Sequence, residues 1–171
     1  MTTKASSCLI AGLAGSLLLV SAASCGKSES KEASTKPAAA KVEPLPDSAY
    51  RAELTVSATP PSGPAGTKTT VTVTVKNTGD TAWPANGKVG NGLVHLGSHW
   101  LDPNGKPVVF EGGRTPFPTP LQPGASATLQ AKVEYPKDPG EYILEFDMVH
   151  EGVAWFAWKK SPTARVVVKV T

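Results

Sequence analysis

The chain has 171 residues, with 17 Lys plus Arg against 14 Asp plus Glu and a formal charge of +3 at pH 7. That length admits one ordinary domain plus flanking segments. No cluster of like charge stands behind the small excess, so nucleic-acid recognition through phosphate contacts is excluded. Both cysteines, Cys8 and Cys25, fall near the N-terminus, which rules out a disulfide framework, a cysteine nucleophile and a thiolate metal site in the body of the chain.

Residues 1–24 read as an export signal. Lys4 supplies a positive start, Leu9 to Val20 is apolar, and Ser21-Ala22-Ala23-Ser24 are small. An apolar run of about 12 residues is too short to cross a bilayer core of about 30 Å as a helix. Cys25 follows the small residues directly, and the arrangement resembles the lipobox of bacterial lipoproteins. The resemblance implies cleavage before Cys25, acylation of Cys25, and a membrane anchor through that lipid. Gly26 stands in second place rather than Asp, which favours the outer membrane in a Gram-negative host. The other reading is ordinary secretory cleavage after Ala23 or Ser24, leaving a periplasmic or secreted protein.

Residues 25–47 are Lys, Glu, Ser, Ala and Pro with almost no large apolar side chains. Such a segment cannot bury enough surface to offset its ordering entropy, so a disordered tether is expected. About 22 flexible residues reach roughly 25 Å, enough to hold a domain clear of a membrane surface. Residues 48–171 then form a single domain, in which twelve Lys and Arg face ten Asp and Glu.

Leu54 to Ala58 is the first predicted strand. In the next, Val71, Val73 and Val75 take one face while Thr70, Thr72 and Thr74 take the other, ending at Asn77-Thr78-Gly79-Asp80. Leu93 to Leu101 follows, with Val94, Leu96, Ser98 and Trp100 inward. Ala127, Leu129, Ala131 and Val133 alternate inward further on. Tyr142, Leu144, Phe146 and Met148 do the same, leaving Glu145 and Asp147 outward. Arg165 to Val170 closes the chain. Pro- and Gly-rich stretches punctuate the gaps, and no apolar period of helical length occurs after residue 50. The pattern predicts an all-β fold, an antiparallel β-sandwich of seven or eight strands. Asp138-Pro139-Gly140-Glu141-Tyr142 resembles the tyrosine corner of immunoglobulin-like domains, which selects an Ig-like sandwich. Leu144 stands where antibody domains carry a cysteine, and Trp100 is the candidate core tryptophan.

The best case for chemistry rests on His95, His99, His150, Glu151 and Asp147. His95 and His99 are spaced like a ligand pair, but four strand residues span about 13 Å. That is too far for two imidazoles to share one zinc at about 2 Å each. Both fall opposite Val94, Leu96 and Trp100, so they are expected as solvent-exposed strand residues. His150-Glu151-Gly152 is expected as turn chemistry. No catalytic set, metal site or cofactor is expected. The aromatics are candidates for ligand binding: on a strand Trp155 faces one way and Phe156 and Trp158 the other, and Trp83 precedes Pro84 in an irregular segment. Exposed indoles suit sugar stacking or protein contact. The competing reading packs them under the long loop Glu111 to Pro123, with Phe110 and Phe117 as lids.

Five stretches taken together resemble one known module: K-N-T-G-D-T-A-W-P, H-W-L-D-P-N-G-K, G-G-R-T-P-F-P, L-Q-P-G and D-P-G-E-Y-I-L-E-F-D-M-V-H-E-G-V-A-W-F. This is the Ig-like domain appended to bacterial glycosyltransferases and methyltransferases. It is distantly similar to the four-tryptophan domain of selective autophagy receptors. The resemblance implies a non-enzymatic sandwich that mediates binding. The expected function is an envelope-anchored module that binds an envelope protein or a surface polysaccharide. The alternatives are a metal-binding or hydrolytic periplasmic protein using exposed histidines, and a purely structural envelope lipoprotein.

Overall fold

The computed structural model describes residues 41–57 and 62–171. The signal segment, Cys25 and all of the tether before Lys41 lie outside the described residues. Nine strands follow in chain order: β1 (Ala52–Val56), β2 (Lys68–Asn77), β3 (Val94–Leu101), β4 (Pro107–Val109), β5 (Arg114–Pro116), β6 (Ser126–Glu134), β7 (Gly140–His150), β8 (Ala154–Trp155) and β9 (Ala164–Val170). One sheet has the order β1-β2-β6; in the other β3 pairs β7, with β4 and β5 on the free side of β3 and with β8 and β9 on β7. Every named pairing is antiparallel. A parallel bridge joins Gly63 to Val170. The fold is the all-β, Ig-like sandwich that the alternation predicts.

The period-two residues fill the core. Val71, Val73 and Val75 are buried between the sheets, as are Leu129, Ala131 and Val133 and, from β7, Leu144, Phe146 and Met148. Each of these side chains other than Ala131 contributes about 1.5–3 kcal/mol on leaving water. On the other face of the first sheet the threonines meet water and one another: Thr72 Oγ1 donates to Gln130 Oε1 at 3.1 Å, and Thr74 and Thr128 pair at 3.3 Å. The tyrosine corner is formed, with Tyr142 Oη donating to the Asp138 carbonyl at 3.0 Å. Trp100 is buried, meets the Tyr142 ring edge-on at 6.3 Å, and pairs with Leu144 across β3 and β7. Apolar packing thus occupies the place a disulfide would take.

The second sheet departs from expectation on its outer face. All eight residues of β3 are buried, and so are His95, His99, His150, Glu145 and Asp147. These histidines are not exposed strand residues. Two long connections cause this. The one between β3 and β6 carries β4 and β5, and the one between β7 and β9 carries β8 and a short 3-10 turn, Ala157–Lys159. Side chains from both cover the outer face, so the sheet is buried on both sides and alternation no longer sorts wet from dry.

The packed chain also begins upstream of Ser48. Leu45 lies against the core, its amide donates to Tyr50 Oη at 3.2 Å, and Val42 lies beside Gly92 and Gly152.

Candidate functional site

The outer layer over β3 and β7 is built around Trp155. Its ring lies on Gly97, where a Cβ would come within 2.5 Å of the indole. The Arg114 guanidinium sits 4.5 Å from the ring centroid, His99 packs at 4.3 Å, and Phe110 meets it edge-on at 5.8 Å. Arg114 is held by Glu151 (Nε to Oε1, 2.6 Å) and Glu111 (Nη2 to Oε2, 2.5 Å). A planar cation clamped by two carboxylates over an indole is a packing device, and Trp155 is buried beneath it.

Each histidine is engaged separately. Nε2 of His95 donates to the Lys88 carbonyl at 3.0 Å, while its Nδ1 is the buried side-chain polar atom left without a hydrogen bond among the described residues; Glu151 Oε1 is 3.8 Å away. His99 Nδ1 donates to the Phe110 carbonyl. Tyr50 Oη, which accepts from Leu45, is 3.0 Å from His150 Nδ1 and donates to it. Burial pushes the imidazoles of His99 and His150 below their ordinary range and keeps them neutral. Among the described residues no three His, Cys, Asp or Glu side chains gather into a metal-ligand set.

Asp147 is buried on the same face, opposite Gly97. Its carboxylate accepts from the amides of Met148 (2.7 Å) and Ala157 (3.2 Å). Burial outweighs these two donors and pushes its pKa up to about 7.

Of the four aromatic candidates, only Trp158 is a surface ring, at 64% exposed. Trp83 is buried, its Nε1 donates to the Ala49 carbonyl at 2.8 Å, and its segment bridges to Leu121. Phe156 is buried against Tyr50 (5.0 Å) and Trp83 (5.1 Å). Trp83, Trp155 and Phe156 are therefore packing residues, not exposed ligand platforms. The reason is local: the strand ends at Trp155 and Phe156 is already helical at φ −68°, ψ −32°. The alternation assumed for Trp155 to Trp158 breaks there. Phe156 turns into the sandwich and Trp158 turns out. Phe117 packs on Trp83 at 6.2 Å and Phe110 stacks on His99 at 4.8 Å, so the loop does supply lids.

A larger concavity lies elsewhere. A cleft of about 610 Å³ opens where the edge strands β4 and β6 leave the sandwich unclosed. Trp100, Val133 and Tyr135 lie deep in it, and Val108 and Val109 of β4 form a wall exposed to solvent. Lys132 and Lys137 lie at its rim. It has no local signature, because its walls come from strands far apart in the chain.

Several solved structures are similar to this chain. The CARDB domain of a Pyrococcus furiosus protein is 16% identical over 71% of this chain and 93% of that one, with a TM-score of 0.41. The ASH/PapD-like domain of human CEP192 is 13% identical over 80% and 94%, with a TM-score of 0.34. A mutant β-glucosidase from Listeria innocua, in complex with laminaribiose, is 17% identical over 71% of this chain but only 16% of that one, with a TM-score of 0.42. No curated protein sequence matches significantly. The profile of the family described as the Ig-like domain from next to BRCA1 gene matches residues 59–168, well over half the chain, and the chain belongs to that family.

Proposed function

We propose that this is a non-catalytic binding module, held at a bacterial cell envelope by a lipid on Cys25, whose partner docks in the cleft between β4 and β6. The cleft carries the reading. It combines two strand edges with no hydrogen-bonded neighbour strand on their outer side among the described residues, that of β6 flanked by Gly113 at Lys132, with the exposed apolar side chains of Val108 and Val109. Free edges offer backbone N–H and C=O groups to an extended peptide, and the apolar wall offers contacts to its alternate side chains. An envelope protein presenting an extended segment suits these features better than a surface polysaccharide, since three of the four tryptophans are buried and cannot stack on sugar rings.

Catalysis is not supported, because each imidazole and Asp147 has its own separate partners and no two of them form an oriented pair. Acid–base work needs an oriented pair at an accessible site. Val42 lies beside Gly92 and Gly152 at the start of β3, whereas the cleft lies by Trp100 near its end. At about 3.3 Å per residue, the two are roughly 20 Å apart along the strand. A partner would thus dock at the end of β3 away from Val42.

Selection of a random peptide library on the full chain carrying Cys25→Ser should enrich extended sequences with apolar residues at alternate positions. Val108→Lys, at an exposed position, should abolish the enrichment. A selection without consensus, beside saturable glycan-array binding lost in Trp158→Ala, would replace the peptide reading with the polysaccharide one. Labelled palmitate incorporated in the parent chain and absent from Cys25→Ser tests the anchor.

A further inference from the structure

We infer that the hollow beneath Trp158 is a second binding site, one that takes a small organic cation: an ammonium group with an apolar or methylated body. It is separate from the β4–β6 cleft and stands or falls independently of it. The hollow encloses about 140 Å³ on the outer face of the second sheet. Asp147, Trp155 and His99 lie at its depth, all buried, while Trp158 (64% exposed) and Phe110 (43% exposed) stand at its mouth.

Charge selects the sign of the ligand. Glu145 Oε1 accepts from Arg165 Nε at 2.9 Å and from Thr163 Oγ1 at 2.6 Å, so that carboxylate is neutralised within the hollow's own wall. Arg114, behind Trp155, is taken by Glu111 and Glu151. Lys159, on the turn beside Trp158, is paired with Asp47 at 2.8 Å. His99 is held neutral by burial. Asp147 is left as a carboxylate with backbone donors but no ion-pair partner among the described residues. With Asp147 ionised, the lining therefore carries a net charge of minus one, placed where desolvation disfavours it. A ligand cation supplies the missing partner.

Shape and lining select the kind of cation. The faces of Trp155 are spent on Gly97 and Arg114, leaving Trp158 and Phe110 as free aromatic surface. An indole face attracts a weakly hydrated organic cation within about 6 Å of its centroid. A strongly hydrated metal ion needs several oxygen ligands, and no such set forms here. At about 30 Å³ per water-sized group the hollow has room for about five such groups, the size of a tetramethylammonium ion or the tip of a lysine.

The test titrates tetramethylammonium into the full chain carrying Cys25→Ser, following the Trp158 indole resonance by NMR. Saturable binding is expected at pH 8. It should weaken about tenfold at pH 6, because Asp147 with a pKa of about 7 is then mostly protonated. Asp147→Asn should abolish binding, and Trp158→Ala, a surface change that leaves the core intact, should weaken it at least severalfold. Equal binding of the neutral isostere neopentane-type alcohol, affinity unchanged in both variants, or no saturation at millimolar tetramethylammonium would each overturn the assignment. Parallel titrations with N-acetyl-lysine methylamide and with choline identify the source, since the tighter binder names a protein side chain or a free solute.

Discussion

Trp155 packs directly against Gly97, and the two residues are mutually required: a Cβ at Gly97 would come within 2.5 Å of the indole. The glycine that interrupts the H-L-G-S-H run is therefore the seat of a side chain from a strand more than fifty residues later. Gly97→Ala should overpack this layer and cost about 1–3 kcal/mol. Trp155→Ala empties it and should cost about 3–5 kcal/mol. Urea unfolding measures both. If Gly97→Ala in the Trp155→Ala background still costs as much as alone, the contact is not the reason for the glycine.

Asp147 links stability to pH with a definite sign. Its folded pKa of about 7 lies above the reference value of 3.8, so between those values the folded chain holds a proton the unfolded chain has lost. Stability from this group is thus fully present below about pH 4 and declines as pH rises to about 7. The total is on the order of 4 kcal/mol. His99 and His150 act oppositely, since their folded pKa values are lowered and stability is lost as pH falls below the unfolded value. The difference between the parent chain and Asp147→Asn isolates the carboxyl. That difference should slope downward between about pH 4 and 7, and a flat difference would refute the assignment.

Trp83 offers a second stability test. Its Nε1 satisfies the Ala49 carbonyl at 2.8 Å inside the core. Trp83→Phe keeps an aromatic ring but removes one of the two donors on that carbonyl, the Arg51 amide remaining at 2.9 Å, so about 0.5–1.5 kcal/mol beyond the lost area is expected. A change under half a kcal/mol in denaturant melts would show that the Arg51 amide alone satisfies the carbonyl.

The tyrosine corner is a smaller effect. Tyr142→Phe removes the bond to the Asp138 carbonyl, whose partners are exposed, so about 0.5–1 kcal/mol is expected. Hydrogen exchange should show faster opening confined to the turn between β6 and β7, with β2 unaffected.

Strand by strand, alternation placed β2, β6 and β7 with the correct residues inward. The run before Tyr142 located the corner, and Trp100 and Leu144 proved to be core. Those features are local: each depends on residues within one strand or one turn, whose period the backbone pleat imposes directly. β1 begins at Ala52, two residues before the Leu54 start that the pattern predicts. β4 and β5 carry no readable period, because each is three residues long and lies among Pro and Gly.

The burial of His95, His99 and Asp147, the fates of Trp83 and Phe156, and the cleft between β4 and β6 could not be read the same way. Periodicity states which residues share a face; it carries no information on whether a distant segment will return to cover that face. Here the β7–β9 connection brings Trp155 onto Gly97 and so converts an outward face of imidazoles and carboxylates into a second buried layer. Trp158 alone among the tryptophans stayed outside, because one helical residue at Phe156 ended the alternation and reversed the direction in which the next ring points.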